Sequence, residues 1–330
     1  MPKIKHQKIV VVLMSVGSPR DSGEITEYVD SIRKEHRITK TLLFGMLKDP
    51  RNLALVAKAM RRPTASQVSA LAEKYAQIGG SPLLSITRRQ AGRLHSTLSK
   101  RGVYAKVVVA MKRLHPSIKE ALAEARASDS TPVVGIVMFP SYSKVYSQEY
   151  EEMLLSGIKD LGIHTASVVV KSLDGNGMFR RALEESISNA YAPLRGRKTM
   201  VVFATHSVPK VLLDGGDPYI KNFESLAGYL ARRLKMSDWT CAYYTGGHPS
   251  TVQEVTRCIS KCKSEGYRRV LLVPLGYVAD NFETLYGLGA MCKKAARTAG
   301  IGITIMRPLN DSTRLSNALS DIVIKAVQKL

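Results

Sequence analysis

Eight short apolar runs, many of them rich in β-branched residues, punctuate the chain: Ile9–Val16, Ala105–Ala110, Val133–Phe139, Thr165–Val170, Met200–Ala204, Thr240–Tyr244, Val270–Pro274 and Gly302–Met306. They do not alternate polar with apolar. A strand that is apolar along its whole length has both faces covered, as in a parallel sheet held between layers of helix. Between most of the runs lie segments with helical periodicity, such as Ile118–Ala127 and Phe223–Leu234. This alternation predicts βαβ units with right-handed crossovers.

The eight runs divide into two sets of four that echo each other. His115-Pro116-Ser117 with Glu120 follows the second run, and His248-Pro249-Ser250 with Gln253 follows the sixth, 133 residues later. Both read as capping boxes that open a helix. The third and seventh runs end in Phe139-Pro140 and Val273-Pro274, and nine residues past each proline stands a glutamate, Glu149 or Glu283, 134 residues apart. The chain is therefore expected to fold as α/β, with two Rossmann-like lobes that each hold a four-stranded parallel sheet flanked by helices. The lobes span 1–170 and 171–330, with turn residues Asp174-Gly175-Asn176-Gly177 near the division. The first lobe carries extra chain between its first two strands. That segment, about 20–75, is apolar (Leu42, Leu43, Phe44, Met46, Leu47, Leu53, Leu55, Val56, Met60). It reads equally as helix core or as a lip over a flat ligand at the sheet's carboxyl edge, where open α/β sheets bind ligands.

Composition narrows the picture. Of 330 residues 45% are apolar, enough to bury a core and exclude a mainly disordered chain. No apolar run nears the roughly 18–20 residues of a spanning helix. Ile9–Val16 follows Lys3, Lys5 and Lys8 with no cleavage site after it, so it is expected to be a first strand rather than a signal peptide, and the cytosol is the expected compartment. Four cysteines make no disulfide framework. Cys258 and Cys262 share one face of a predicted helix, Cys241 and Cys292 stand apart, and no Cys-x-x-Cys occurs. Buried thiols are expected, not an iron–sulfur cluster or structural metal. The formal net charge is +22, but the basic residues are scattered as dyads such as Arg88-Arg89 and Arg232-Arg233, with one cluster at Arg195–Lys198. No stretch interleaves them with aromatics, so nucleic acid is not an expected partner. A positive field would still gather anionic ligands, including a carboxylate-rich small molecule or an acidic membrane surface. Peripheral membrane contact and oligomeric state stay open.

Two side chains carry the candidate chemistry. His206 follows the strand Met200–Ala204, at the edge where ligands sit. Glu283 lies just past the seventh run, in Asp280-Asn281-Phe282-Glu283-Thr284-Leu285-Tyr286. Loops after neighbouring strands converge, so the two are expected to face each other. Asp280 would share the face of Glu283 if a helix has begun there, and it is equally accounted for by the preference of carboxylates for helix N-termini. A histidine with one or two carboxylates can hold a divalent cation transiently or pass protons. Gly79-Gly80-Ser81-Pro82 follows a helical pattern, Val68–Ile78, and lacks Gly-Lys-Ser/Thr, so it reads as a helix stop rather than a phosphate loop.

At these residues the sequence resembles the ferrochelatase family, which inserts ferrous iron into a porphyrin to make haem. The similarity runs through Met14-Ser15-Val16-Gly17-Ser18-Pro19, Ile78-Gly79-Gly80-Ser81-Pro82-Leu83, Ala110–Pro116, Pro140-Ser141-Tyr142-Ser143, Ala204-Thr205-His206-Ser207-Val208-Pro209, Gly216-Asp217-Pro218-Tyr219 and Asp280–Tyr286. The family often has a histidine where Asn281 stands, and Tyr244–Pro249 replaces its Gln-Ser-Arg-x-Gly-Pro segment. The resemblance implies a porphyrin cleft between the lobes, the family's invariant histidine at His206 and its catalytic glutamate at Glu283. It implies metal contacts at His206, Glu283 and Asp280, and substrate contacts at Ser18, Arg20, Ser81, Lys112, Arg113, Ser141 and Tyr142, with Arg88 a further rim candidate for propionates. Protoporphyrin IX or coproporphyrin III would be the substrate and Fe2+ the substrate metal, with no permanently bound cofactor. A cobalt or nickel chelatase on a related tetrapyrrole, or a non-catalytic tetrapyrrole carrier, are the alternatives.

Overall fold

The computed structural model describes residues 8–34, 64–129, 131–208, 210–245 and 253–330. Its eight strands are β1 Ile9–Ser15, β2 Ala105–Met111, β3 Val133–Val137, β4 Ser167–Val170, β5 Thr199–His206, β6 Trp239–Tyr244, β7 Arg269–Val273 and β8 Gly302–Ile305. Each lies within two residues of the apolar run that predicted it. They form two four-stranded sheets of the same topology, β2-β1-β3-β4 and β6-β5-β7-β8. Every strand pair is parallel. The central strands β1 and β5 are buried along their lengths apart from half-buried His206 at the end of β5. Each such Val, Leu or Ile removed from water contributes roughly 1.5–3 kcal/mol, more than any surface ion pair. Burial on both faces is what fixes the sheets between helices.

In the first set, before β5, the helices are α1 Ile25–Lys34, α2 Ala65–Ala76, α3 Leu83–Lys100, α4 Ile118–Ala125, α5 Tyr146–Asp160 and α6 Gly177–Tyr191. In the second they are α7 Lys210–Asp214, α8 Tyr219–Arg233, α9 Val255–Ser264, α10 Cys292–Ala299 and α11 Thr313–Val327, with a π-helix, Glu283–Met291, running directly into α10. The capping box expected at α4 is present, with Ser117 Oγ and the Glu120 carboxylate accepting from each other's backbone N–H. Its expected counterpart at Ser250 lies outside the described residues, and α9 is instead capped by Glu254, which accepts from the N–H groups of Thr256 and Arg257.

The predicted helix stop at Gly79-Gly80 is a suture. Gly80 has φ +80°, and a Cβ there would sit 1.7 Å from the Arg20 carbonyl oxygen. Only glycine lets the two backbones meet. Ser81 N–H donates to the Pro19 carbonyl at 2.9 Å, which ties the turn to the end of β1.

The last helix, α11, packs on α6 and reaches across to α3 and β4 of the first sheet. Thr97 and Ser316 hydroxyls meet at 2.7 Å across the lobes, and Gln90 Nε2 donates to the Asn310 carbonyl at 2.9 Å. A second clasp joins the lobes at Asp217, which accepts from Ser143 Oγ at 2.8 Å and Val145 N–H at 3.0 Å. The Ser143–Asp217 bond is buried and the others are part-buried, where such bonds hold a geometry better than in open water. They fix the carboxyl ends of the two sheets against one cleft. No helix among the described residues is long and apolar enough to cross a membrane.

Candidate active site

The cleft has a volume of about 1090 Å³ counting its open mouth. It is built from the ends of β1 (Ser15–Ser18), β2 (Lys112, Arg113) and β3 (Met138, Phe139), facing the end of β5 (His206, Val208) and the segment after β7 (Gly276–Ala279, Asn281–Glu283). Its walls are mostly apolar, with a few converging charged groups, the usual make-up of a small-molecule site.

His206 is the last residue of β5, so its backbone is fixed by pairing with Tyr244 of β6. Glu283 opens the π-helix and comes to meet it: His206 Nδ1 stands 3.1 Å from Glu283 Oε1. The contact is one of charge rather than a well-directed hydrogen bond, because Nδ1 has no aligned acceptor. Both side chains keep about a third of their surface open, 36% and 30%. The other carboxylate oxygen, Oε2, accepts from Tyr277 Oη at 2.6 Å.

The electrostatics follow from this arrangement. Burial works against an imidazolium at His206, but the Glu283 carboxylate outweighs it and raises the imidazole above its ordinary 6.5. Burial likewise opposes the Glu283 charge. His206, the Tyr277 hydroxyl and Arg113 overcome it, and the carboxyl lies below its ordinary value. Tyr277 is pushed far up by burial and then by Glu283, so its hydroxyl keeps its proton and acts as a donor.

The other predicted residues separate into three groups. Ser18, Lys112 and Arg113 line the cleft. Ser18 Oγ is bonded to Tyr75 Oη at 3.0 Å, and Arg113 lies over the Tyr28 ring at 5.8 Å. Lys112 is not a rim cation: its side chain is 4% exposed, its Nζ is 2.8 Å from Glu149 Oε2, and it lies between the rings of Tyr146 and Tyr150. Its charge is neutralised before any propionate arrives.

Arg20, Ser81, Ser141 and Tyr142 do not line the cleft. Arg20 is exposed and paired with Glu24. Ser81 belongs to the suture described above. Ser141 is buried with no partner for its hydroxyl, and the Tyr142 carbonyl accepts from Asn222.

Asp280 also departs from expectation. It is 3% exposed, and its carboxylate is held by Arg307 at 3.0 Å, Asn310 Nδ2 at 2.8 Å and Thr284 Oγ1 at 3.3 Å. The assumed α-helical turn is missing: residues 280 and 281 precede the helix, and Glu283 opens a π-helical segment whose bonds run from i to i+5. The two carboxylates therefore serve different neighbours. Among the described residues no cluster of three His, Cys, Asp or Glu side chains is poised to hold a metal ion. The cysteines are free thiols, three buried and Cys241 half-buried.

Sequence reasoning missed the tyrosines. Tyr28, Tyr75, Tyr146, Tyr150, Tyr219 and Tyr277 all line the cleft, as does Phe282, whose ring stacks on Tyr75 at 4.3 Å. Tyr28 and Tyr75 come from the described ends of the insertion. The apolar residues Leu42 to Met60, expected to form core or lip, lie outside the described residues.

The chain matches the ferrochelatase family model over residues 8–327. It is 30% identical to a ferrochelatase of Thermus thermophilus, across 95% of this chain and 98% of that one. It is 26% identical to a coproporphyrin III ferrochelatase of Bacillus subtilis, across 98% and 99%. In fold it is similar to CbiX, the terminal enzyme of sirohaem biosynthesis in denitrifying bacteria, with TM-score 0.53, 11% identity, and 96% and 99% of the two chains covered. It is likewise similar to the sirohydrochlorin chelatase SirB of Bacillus subtilis subspecies spizizenii in complex with cobalt, with TM-score 0.53, 7% identity, and 98% and 96% covered.

Proposed function

The chain belongs to the ferrochelatase family, and from that premise we propose that His206 and Glu283 are the working pair with which it inserts ferrous iron into a porphyrin. It is a lyase of haem biosynthesis. The observation that supports this assignment is the meeting of an imidazole and a carboxylate 3.1 Å apart, inside a largely apolar cleft between the lobes.

Insertion exchanges one Fe2+ for the two protons on the pyrrole nitrogens, so the site must take up two protons and let a dication reach one face of a rigid ring. With Nδ1 turned to Glu283, His206 Nε2 is the nitrogen left for the substrate. It accepts a pyrrole proton, and the Glu283 carboxylate stabilises the imidazolium that results. The neighbouring carboxylate raises this base above its ordinary 6.5, which strengthens it as a proton acceptor. Glu283, about 30% exposed, hands protons on and offers an oxygen to incoming iron. Met138, Phe139, Val208 and Phe282 give the macrocycle apolar surface. A bent ring presents its nitrogens better than a flat one, so binding energy directed to the bent form lowers the barrier. Arg113 brings positive charge to the cleft for propionates.

Iron is substrate and leaves in the product, so this reading needs no resident cofactor. We also place the enzyme in the cytosol, without a nucleic-acid partner. The test is the purified protein with ferrous iron and, separately, protoporphyrin IX and coproporphyrin III, followed by absorbance. Metalloporphyrin formation with at least one of them is expected. Porphyrin binding without turnover would make the protein a carrier, and turnover only with cobalt or nickel on another tetrapyrrole would move it to a different chelatase class.

A further inference from the structure

Glu283 has two oxygens and two different neighbours. Oε1 lies 3.1 Å from His206, and Oε2 takes a hydrogen bond of 2.6 Å from Tyr277. A carboxylate at the head of a helix rotates readily unless both oxygens are occupied. Here the second contact sets the plane that the first one uses. We propose that Tyr277 is a positioning residue for metal insertion, its hydroxyl holding Glu283 in the one rotamer that faces His206.

How Tyr277 is itself placed strengthens the inference. The turn that carries it is fastened to β5, the strand that delivers His206. Gly276 N–H donates to the Ala204 carbonyl at 3.1 Å, and Tyr277 N–H closes the turn onto the Pro274 carbonyl at 3.1 Å. A Cβ on Gly276 would sit 1.8 Å from Thr205 Oγ1, so only glycine allows this approach. Thr205 is locked in turn by Tyr219 Oη at 2.6 Å. His206 and Tyr277 therefore share one rigid frame, and Glu283, six residues further along the same connection, is captured between them. Groups that support a reacting residue in this way typically matter by one to two orders of magnitude without touching substrate.

The inference rests on reading His206 and Glu283 as the working pair, and its test separates the two claims. Tyr277→Phe keeps the ring in its packing and removes only the donor. We expect kcat for ferrous insertion to fall about 10- to 100-fold. Porphyrin KM and porphyrin affinity from fluorescence quenching should stay within about twofold, because the ring that lines the cleft is kept and only its hydroxyl, turned to Glu283, is lost. Adding Tyr277→Phe to Glu283→Gln should slow the enzyme no further, since the hydroxyl has no carboxylate left to orient. A parent-like kcat in Tyr277→Phe would overturn the proposal. So would a parallel loss of kcat and porphyrin affinity, the mark of a purely structural role, or an undiminished loss in the Glu283→Gln background. Glu283→Gln at parent rate would instead remove the pair itself.

Discussion

Each lobe presents a glutamate nine residues past the proline that follows its third strand, and each glutamate meets a cation from the end of another strand. In the first lobe Glu149 meets Lys112, just past β2. In the second Glu283 meets His206, at the end of β5. The scaffolds are alike, and the environments are opposite. The Lys112 and Glu149 side chains are 4% and 13% exposed, whereas those of His206 and Glu283 are 36% and 30% exposed. A charged ammonium has no lone pair to offer, while an imidazole gives and takes a proton near neutrality. The sealed pair is suited to holding the cleft wall, and the open pair to reacting with what enters. The two glutamates occupy equivalent places, but their partners do not: Lys112 follows the edge strand β2, and His206 ends the central strand β5, so the two contacts differ in partner, strand and access to the cleft.

The sharpest way to break this contrast is truncation in the open pair. His206→Ala should cut ferrous insertion by about 10³-fold, within the range general acid–base groups contribute, while porphyrin still quenches on binding. Parent-like turnover would remove the chemical half of the comparison.

In the sealed pair the corresponding change should strike stability. Glu149→Gln leaves an ammonium in a closed site and should cost about 3 kcal/mol, read as a lower denaturation midpoint with unchanged slope. An unaltered midpoint with collapsed kcat would put Glu149 in the chemistry and reverse the assignment.

The third effect is smaller and concerns pH. The raised imidazole contributes stability that is present below its unfolded pKa and lost as pH rises through the folded value. The lowered carboxyl contributes stability that is present above its unfolded pKa and lost as pH falls through the folded value. The pair therefore stabilises the fold between those two limits. In Glu283→Gln the raising partner is gone, while burial and Arg113 still oppose the imidazolium, so the His206 titration followed by NMR should drop below 6.5. An unmoved titration would show that Glu283 is not the group that sets it.

The strands were legible because burial on both faces leaves a mark that needs no long-range knowledge: runs such as Val10-Val11-Val12-Leu13 admit few other readings. The meeting of His206 and Glu283 was legible because strand ends and the internal repeat point to one sheet edge. Asp280 was misread because its partners, Arg307 and Asn310, lie 27 and 30 residues further on, and because the turn that would have aligned it with Glu283 is absent. Lys112 looked like a rim cation because nothing local shows that α5 will bring Glu149 onto it. The cleft tyrosines carried no signal either, since a tyrosine serves a core, a rim and a hydrogen-bond network equally well. Nor did the apolar face of α11 say which sheet it would cover.

In the proposed mechanism His206 and Glu283 act as one unit. This is tested most directly by measuring ferrous insertion rates for His206→Ala, Glu283→Gln and the double variant, each with porphyrin binding confirmed. The double variant should be about as slow as the slower single one, as for groups that work together. If the two losses multiply instead, the side chains act independently and the paired centre described here is contradicted.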